Sequence, residues 1–174
     1  MRIFLEMDGV VGDIETCLIQ KYNQQYPTQP LGYSTHPLLI QDRQIRHRLR
    51  KIFNESGFFS CIPLMSGAKE AIEVMTAMGW EVYFCSIPKL SNSTSASEKY
   101  EWIEKHFGMG RNLILTKDKT LLHADILVDP RLDIRGSHTP TWEHIVFKNK
   151  WNKDLMHRTQ KRVVSWNNWK DIFS

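Results

Sequence analysis

The first ten residues, Met1-Arg2-Ile3-Phe4-Leu5-Glu6-Met7-Asp8-Gly9-Val10, restrict the possible fold more than any other stretch. Ile3, Phe4 and Leu5 form an unbroken apolar run, the pattern of a strand buried on both faces of a parallel sheet. The run ends in Glu6, and a second carboxylate, Asp8, follows before Gly9. Open α/β sheets gather their ligands beyond the carboxyl ends of the strands, so both acids are predicted to face a crevice there. Gly9 allows a sharp turn and a close backbone approach. Two carboxylates at such a place suit a hard-metal site, or a nucleophile with its acid/base partner. A strand end with two solvated acids is the plainer alternative, and these ten residues do not decide between them.

The rest of the chain alternates helices with strands. Asp13 to Tyr26 reads as a helix capped by Asp13 or an earlier residue, with Cys17, Leu18, Tyr22 and Tyr26 as its apolar stripe. Residues 27 to 38 read as loop. A second helix is expected over Leu39 to Asn54, apolar at Ile40, Ile45, Leu49, Ile52 and Phe53 and basic at Arg43, Arg46, Arg48, Arg50 and Lys51. A third runs from a Ser66 cap to Met78, with Ala71, Val74, Met75 and Met78 inward, and Gly79 ends it. Then come a strand over Glu81–Cys85 with Ser86 at its end, a helix from about Ser97 to Phe107, and short strands at Leu113–Leu115, Ile126–Val128 and Ile145–Phe147. A last helix is expected over Trp166 to Phe173. Such alternation implies a mainly parallel sheet with right-handed crossovers.

A chain of 174 residues fits one domain with a small insertion. Its net charge of +4 is a mild bias toward anionic ligands and no argument for nucleic acid. No apolar run approaches the ~20 residues that span a bilayer. Cys17, Cys61 and Cys85 are far apart and lack CxxC spacing, which predicts reduced, mostly buried thiols in a cytoplasmic protein. The histidines show no HxxxH pairing that would suggest zinc. Asn92-Ser93-Thr94 matches a glycosylation sequon and, with no secretory signal expected, carries no weight.

Glu6-Met7-Asp8-Gly9-Val10 resembles the first motif, DxDGx, of the haloacid-dehalogenase (HAD) superfamily. Most of the chain resembles, more narrowly, the 5'(3')-deoxyribonucleotidases. The similar stretches are 54–59, Cys85-Ser86-Ile87-Pro88, 98–105, 115–120, 125–129, 140–144 and Ser165-Trp166, in the family's order. The resemblance implies an α/β, HAD-like Rossmannoid three-layer core over residues 1–15 and 65–174, with a small helical cap inserted over 16–64. It also implies a role for each site residue. Asp8 would be the general acid, with its carbonyl toward a magnesium ion. Ser86 would donate to a phosphoryl oxygen, and Lys119 would neutralise nucleophile and phosphate. Ile14 and Phe53 fall at apolar substrate contacts.

The chain departs from the family in three places. Glu6 stands where the nucleophilic Asp is expected. Asp129 is followed by Pro130, where the family has a second, metal-binding Asp. Ile87 stands where the family has a Ser near the base. The remaining metal ligands would be Glu6, the Asp8 carbonyl and Asp129, with Asp133 available for recruitment, so Mg2+ binding is expected to be weak or absent. The expectation is a crevice for a deoxynucleoside monophosphate or phosphate with little or no phosphatase activity. An active magnesium-dependent phosphatase is the first alternative. A module that binds protein, or less plausibly nucleic acid, through the basic helix is the second.

Overall fold

In a computed structural model describing residues 1–32 and 40–173, the opening apolar run forms strand β1 (Arg2–Glu6), paired on both edges. On one side lie β2 (Glu81–Ser86) and then β3 (Leu113–Leu115). On the other lie β4 (Ile126–Asp129), β5 (Glu143–Phe147) and the two-residue β6 (Val163–Val164). The order is β3-β2-β1-β4-β5-β6, and every pair is parallel. Successive residues of β1 serve opposite faces, as the period of two requires. Ile3 and Leu5 join one large core with Val82, Phe84, Ile126 and Val128, whereas Phe4 joins a smaller cluster with Cys85, Leu127 and Trp142.

The helices supply the large core. They are α1 (Ile14–Gln25), α2 (Arg43–Phe53), α3 (Ala68–Ala77), α4 (Ser95–Phe107) and the short α5 (Trp169–Phe173). The opposite face is closed by turns and connections, with Leu122, Ala124 and Trp142 packed there. None of the residues of that cluster lies on an α-helix.

Local chemistry moved several boundaries from where periodicity placed them. Of the candidate caps for α1, Asp13 is the one used, accepting from the Thr16 N–H at 3.2 Å. The second helix begins at Arg43 because the Asp42 carboxylate accepts from the N–H groups of Gln44 and Ile45, at 2.7 and 2.9 Å. The predicted start at Leu39, and residues 33–38 of the predicted loop, lie outside the described residues. In α3 the inward residues are Ala68, Ala71, Ile72 and Met75, while Val74 and Met78 face out. Gly67, not Ser66, stands at its N-cap with φ +83°, and a Cβ there would meet Trp166 at 3.0 Å. The last helix begins only at Trp169, after a turn in which the Asn168 N–H donates to the Ser165 carbonyl at 3.1 Å and the Asn168 amide oxygen accepts from the Ser165 N–H at 2.6 Å. On α2, Arg43, Arg46, Arg50 and Lys51 are exposed, while Arg48 lies over the Tyr26 ring at 4.3 Å. No helix among the described residues is long and apolar enough to cross a membrane.

Between β1 and α3 the chain leaves the sheet for α1 and α2 and returns beside its own exit. Asp13 N–H donates to the Pro63 carbonyl at 2.8 Å and Met65 N–H to the Val11 carbonyl at 2.7 Å. This pairing, around an antiparallel Gly12–Leu64 bridge, forms a narrow neck.

His144, on β5, makes stability depend on pH. It is buried, its Nδ1 accepts from the Lys161 ammonium at 2.9 Å, and its Nε2 has no partner among the described residues. Burial and the Lys161 charge hold its pKa down to about 4. As pH falls below about 6.5 the unfolded chain takes up the proton first, so the folded state loses stability until about pH 4 and no further. Glu15, raised to about 7 chiefly by burial and then by Asp13, acts in the opposite sense. A difference measurement therefore isolates the histidine: the Tm advantage of the unmodified protein over His144→Gln should shrink between pH 6.5 and 4. A constant difference across that window would show that His144 titrates alike in both states.

Candidate active site at the strand ends

Glu6, Ser86 and Asp129 are the last residues of β1, β2 and β4. These are three adjacent strands, and their register sets the ends level: Glu6 lies opposite Cys85 and Leu5 opposite Val128. Beyond β1 the chain turns tightly, with Gly9 N–H on the Gly12 carbonyl at 2.8 Å and Gly12 N–H on the Met7 carbonyl at 2.9 Å. Gly9 has φ +84°, and a Cβ there would stand 3.2 Å from the Asn149 amide, so the turn requires glycine.

Two lysines enter beneath the turn. Lys119 opens a short 3-10 turn whose cap, Asp118, accepts from the Thr120 N–H at 2.9 Å. Asp118 also accepts from the Ser137 N–H and hydroxyl, so the loop that aims Lys119 inward is tied down at both ends. Lys99 comes from α4 and is fully buried. Its neighbour Glu98 fixes that helix to the returning chain by accepting from the Gly57 N–H at 2.6 Å and the Phe59 N–H at 2.9 Å.

The charges fall into two ion-paired groups. In the first, the Lys119 ammonium contacts the Glu6 carboxylate and stands 2.6 Å from Asp129 Oδ2. Arg131 holds Asp129 from the other side, through Nε to Oδ1 at 3.0 Å and Nη2 to Oδ2 at 2.8 Å. Burial alone would raise the Asp129 carboxyl, but Lys119 and Arg131 outweigh it and keep it well below the ordinary carboxylate range. Burial brings the Lys119 ammonium down to about 8, against the pull of Asp129. The remaining oxygen of Glu6, Oε1, accepts from the Asp8 N–H at 3.2 Å. In the second group the Lys99 ammonium lies 2.5 Å from Asp8 Oδ2 and 2.6 Å from Ser86 Oγ. Ser86 Oγ donates to Asp8 Oδ2 at 3.4 Å. Asp8 Oδ1 is buried with no partner among the described residues. Three carboxylates thus meet three cations, and the site is close to neutral as it stands.

A crevice of about 330 Å³ opens above these groups. Glu6, Asp8, Ile14, Phe53, Ile87 and Asp129 line it, six of the eight residues that the sequence singled out. Ser86 and Lys119 lie beneath the lining, against Asp8 and Glu6. Pro130 lines the crevice as well, and presents carbon where a carboxylate was expected. Asp133 is paired with Arg135 at an exposed position.

Among the residues that sequence reasoning missed are Lys99, Arg131 and Glu15. Lys99 could have been found: Ser95, Lys99, Trp102 and Ile103 share one helical face, and a lysine among inward residues calls for a buried counter-ion. Arg131 and Glu15, which also line the crevice, carry no signal in their spacing.

Residues 1–173 match a family model described as 5' nucleotidase, deoxy (pyrimidine), cytosolic type C protein. The human cytosolic-type 5'(3')-deoxyribonucleotidase is 31% identical over 188 residues, spanning 99% of this chain and 92% of that protein. The human mitochondrial 5'(3')-deoxyribonucleotidase is 31% identical over 192 residues, spanning 99% of this chain and 82% of that one. The crystal structure of a HAD family hydrolase from Deinococcus radiodurans, with bound phosphate and sodium, superposes with a TM-score of 0.63 over 99% of this chain and 94% of its own. At 9% identity, that likeness is one of fold.

Proposed function

The chain belongs to the 5'(3')-deoxyribonucleotidase family of HAD-like hydrolases, and from that premise we propose that it holds a deoxynucleoside monophosphate or phosphate in the crevice while hydrolysing the ester slowly or not at all. The observation that carries this reading is the posture of Glu6. Its carboxylate is already engaged by the Asp8 N–H and the Lys119 ammonium. Those are the donors that a phosphoryl group in the crevice would need. The longer side chain acts as a built-in anion in the place meant for the substrate's. Asp8 is in turn fixed to the buried Lys99 ammonium and the Ser86 hydroxyl, so its carboxylate is already occupied by the chain's own donors.

Phosphatases of this superfamily typically use magnesium. The donor set of this chain does not fit that ion. The Lys119 ammonium stands between the Glu6 and Asp129 carboxylates, Arg131 takes up Asp129 further, and Pro130 offers no side-chain oxygen. Among the described residues no three His, Cys, Asp or Glu side chains form a metal-binding group. Weak magnesium binding or none follows from this reading. The helical excursion from about residue 16 to 64 serves as the cap and contributes Phe53, which with Ile14 of the core offers apolar contacts for the sugar or base.

Calorimetric titration with dUMP and with inorganic phosphate, beside an assay of phosphate release, tests the reading. Binding without turnover is expected. Glu6→Ala frees the Asp8 N–H and removes a like charge, so it should bind phosphate about tenfold more tightly or better. No gain in phosphate affinity for Glu6→Ala would remove the basis of the argument.

A further inference from the structure

Cys17 and Cys61 are 44 positions apart in the chain, yet their sulfur atoms stand 3.3 Å from each other. Cys17 lies in the first turn of α1, just after the exit at Gly12, and is buried. Cys61 ends a 3-10 turn, just before the return at Leu64, and is exposed. The pair therefore sits across the neck that joins the helical excursion to the sheet. One backbone carbonyl orients both thiols: Phe58 O accepts from Cys61 Sγ at 3.1 Å and from Cys17 Sγ at 3.9 Å. A disulfide needs a sulfur separation of about 2.05 Å, so closure requires a movement of roughly 1.2 Å, which rotation of the exposed Cys61 side chain can supply. Cys85 is fully buried in β2 and takes no part.

We propose that Cys17 and Cys61 form a dithiol site that reacts with small-molecule disulfides and closes into an intramolecular disulfide across the neck. The Cys61 thiolate attacks one sulfur of the small disulfide, breaking its S–S bond and releasing one thiolate, which takes up a proton. The Cys17 thiolate then attacks Cys61 Sγ and expels the second small thiol. Two protein thiols are oxidised and one disulfide is reduced to two thiols, a balanced two-electron exchange. Burial, then the hydrogen bond with Cys61, pushes the Cys17 thiol up to about 12, so the order of attack is Cys61 first. The bond would fix α1, which carries Ile14, Glu15 and Leu18 of the crevice wall, against the turn that places Phe59 under the Lys99 ammonium at 4.5 Å.

The test incubates the full chain with oxidised glutathione, alkylates the remaining thiols and maps peptides by mass spectrometry. The expected product has lost two hydrogens, carries a Cys17–Cys61 link and keeps Cys85 alkylatable. Its Tm should rise by roughly 10 °C, because closing a loop of this length restricts the unfolded chain. Cys61→Ser should show neither link nor shift, and Cys17→Ser should stop at a stable mixed disulfide on Cys61. A persistent mixed disulfide on the unmodified chain, or three alkylatable thiols after oxidation, would overturn the proposal. If Cys17→Ser folds poorly, the peptide map of the unmodified chain decides by itself.

Discussion

Magnesium-dependent release of phosphate from dUMP or dTMP is expected to rise by about 10³-fold or more in the Glu6→Asp/Pro130→Asp double variant, against tenfold or less in either single variant. Glu6→Asp withdraws the carboxylate by about one bond length from the Asp8 N–H, where it now sits. A misplacement of ~1 Å in a reacting group can cost ~10²-fold, so restoring reach is a large effect only when the rest of the site is competent. Pro130→Asp supplies a hard oxygen beside Asp129, but alone it does so next to a carboxylate committed to Lys119. Groups that act as a unit are strongly non-additive, which is why the double variant should exceed the product of the singles. The backbone at 130 is anchored through its carbonyl, which accepts from the Asn152 amide at 2.7 Å, and that anchor survives the substitution. The substitution also adds an N–H at 130, and left without a partner there it would cost about 1–3 kcal/mol. A well-folded double variant with no turnover would place the defect elsewhere, with Ile87 next to be examined. Robust turnover by the unmodified chain, abolished by Glu6→Gln, would establish Glu6 as a working nucleophile and reject the proposed function.

Lys119→Met should cost about 3–5 kcal/mol of folding stability, because it leaves two buried carboxylates facing each other without their shared cation. For a chain of this size that corresponds to a Tm lower by roughly 10–15 °C. Adding Glu6→Gln removes one of the stranded charges and should recover about half the loss, with Arg131 left to hold Asp129. Denaturant titration of the four proteins as a double-mutant cycle measures the coupling. A loss below 1 kcal/mol for Lys119→Met would show that Arg131 and solvent neutralise the pair without it.

The sheet was legible because a strand buried on both faces leaves a continuous apolar run, and Ile3–Leu5 and Ile126–Val128 are such runs. The strand ends were legible for the same reason: Glu6, Ser86 and Asp129 each mark where an apolar run meets a polar residue. Val74 and Met78 misled because an apolar side chain on a helix need not face inward, and both lie on the solvent side of α3. The strand β6 was invisible, since Val163–Val164 is too short to show a period and pairs only at an edge. Within the site, spacing predicted which residues converge but not how they pair. That Lys119 stands between Glu6 and Asp129, and that Glu6 folds back onto its own turn, depends on one methylene group and on distances that no periodicity encodes.

The central position of β1 also bears on how the chain is made. Of the strands in this sheet, the first to be synthesised is the one flanked by β2 and β4, and its partners are Glu81–Cys85 on one side and Ile126–Val128 on the other. Its apolar residues wait for some eighty residues of further synthesis before one edge is covered, and for more than one hundred and twenty before the second is. At roughly 5–20 residues per second, that is many seconds with an unpaired strand edge exposed. Pairings at such separation also carry a high contact order, which slows folding. Nascent chains arrested before residue 126 should therefore be the species that chaperones hold and that aggregates collect, whereas chains released past β4 can close both edges at once.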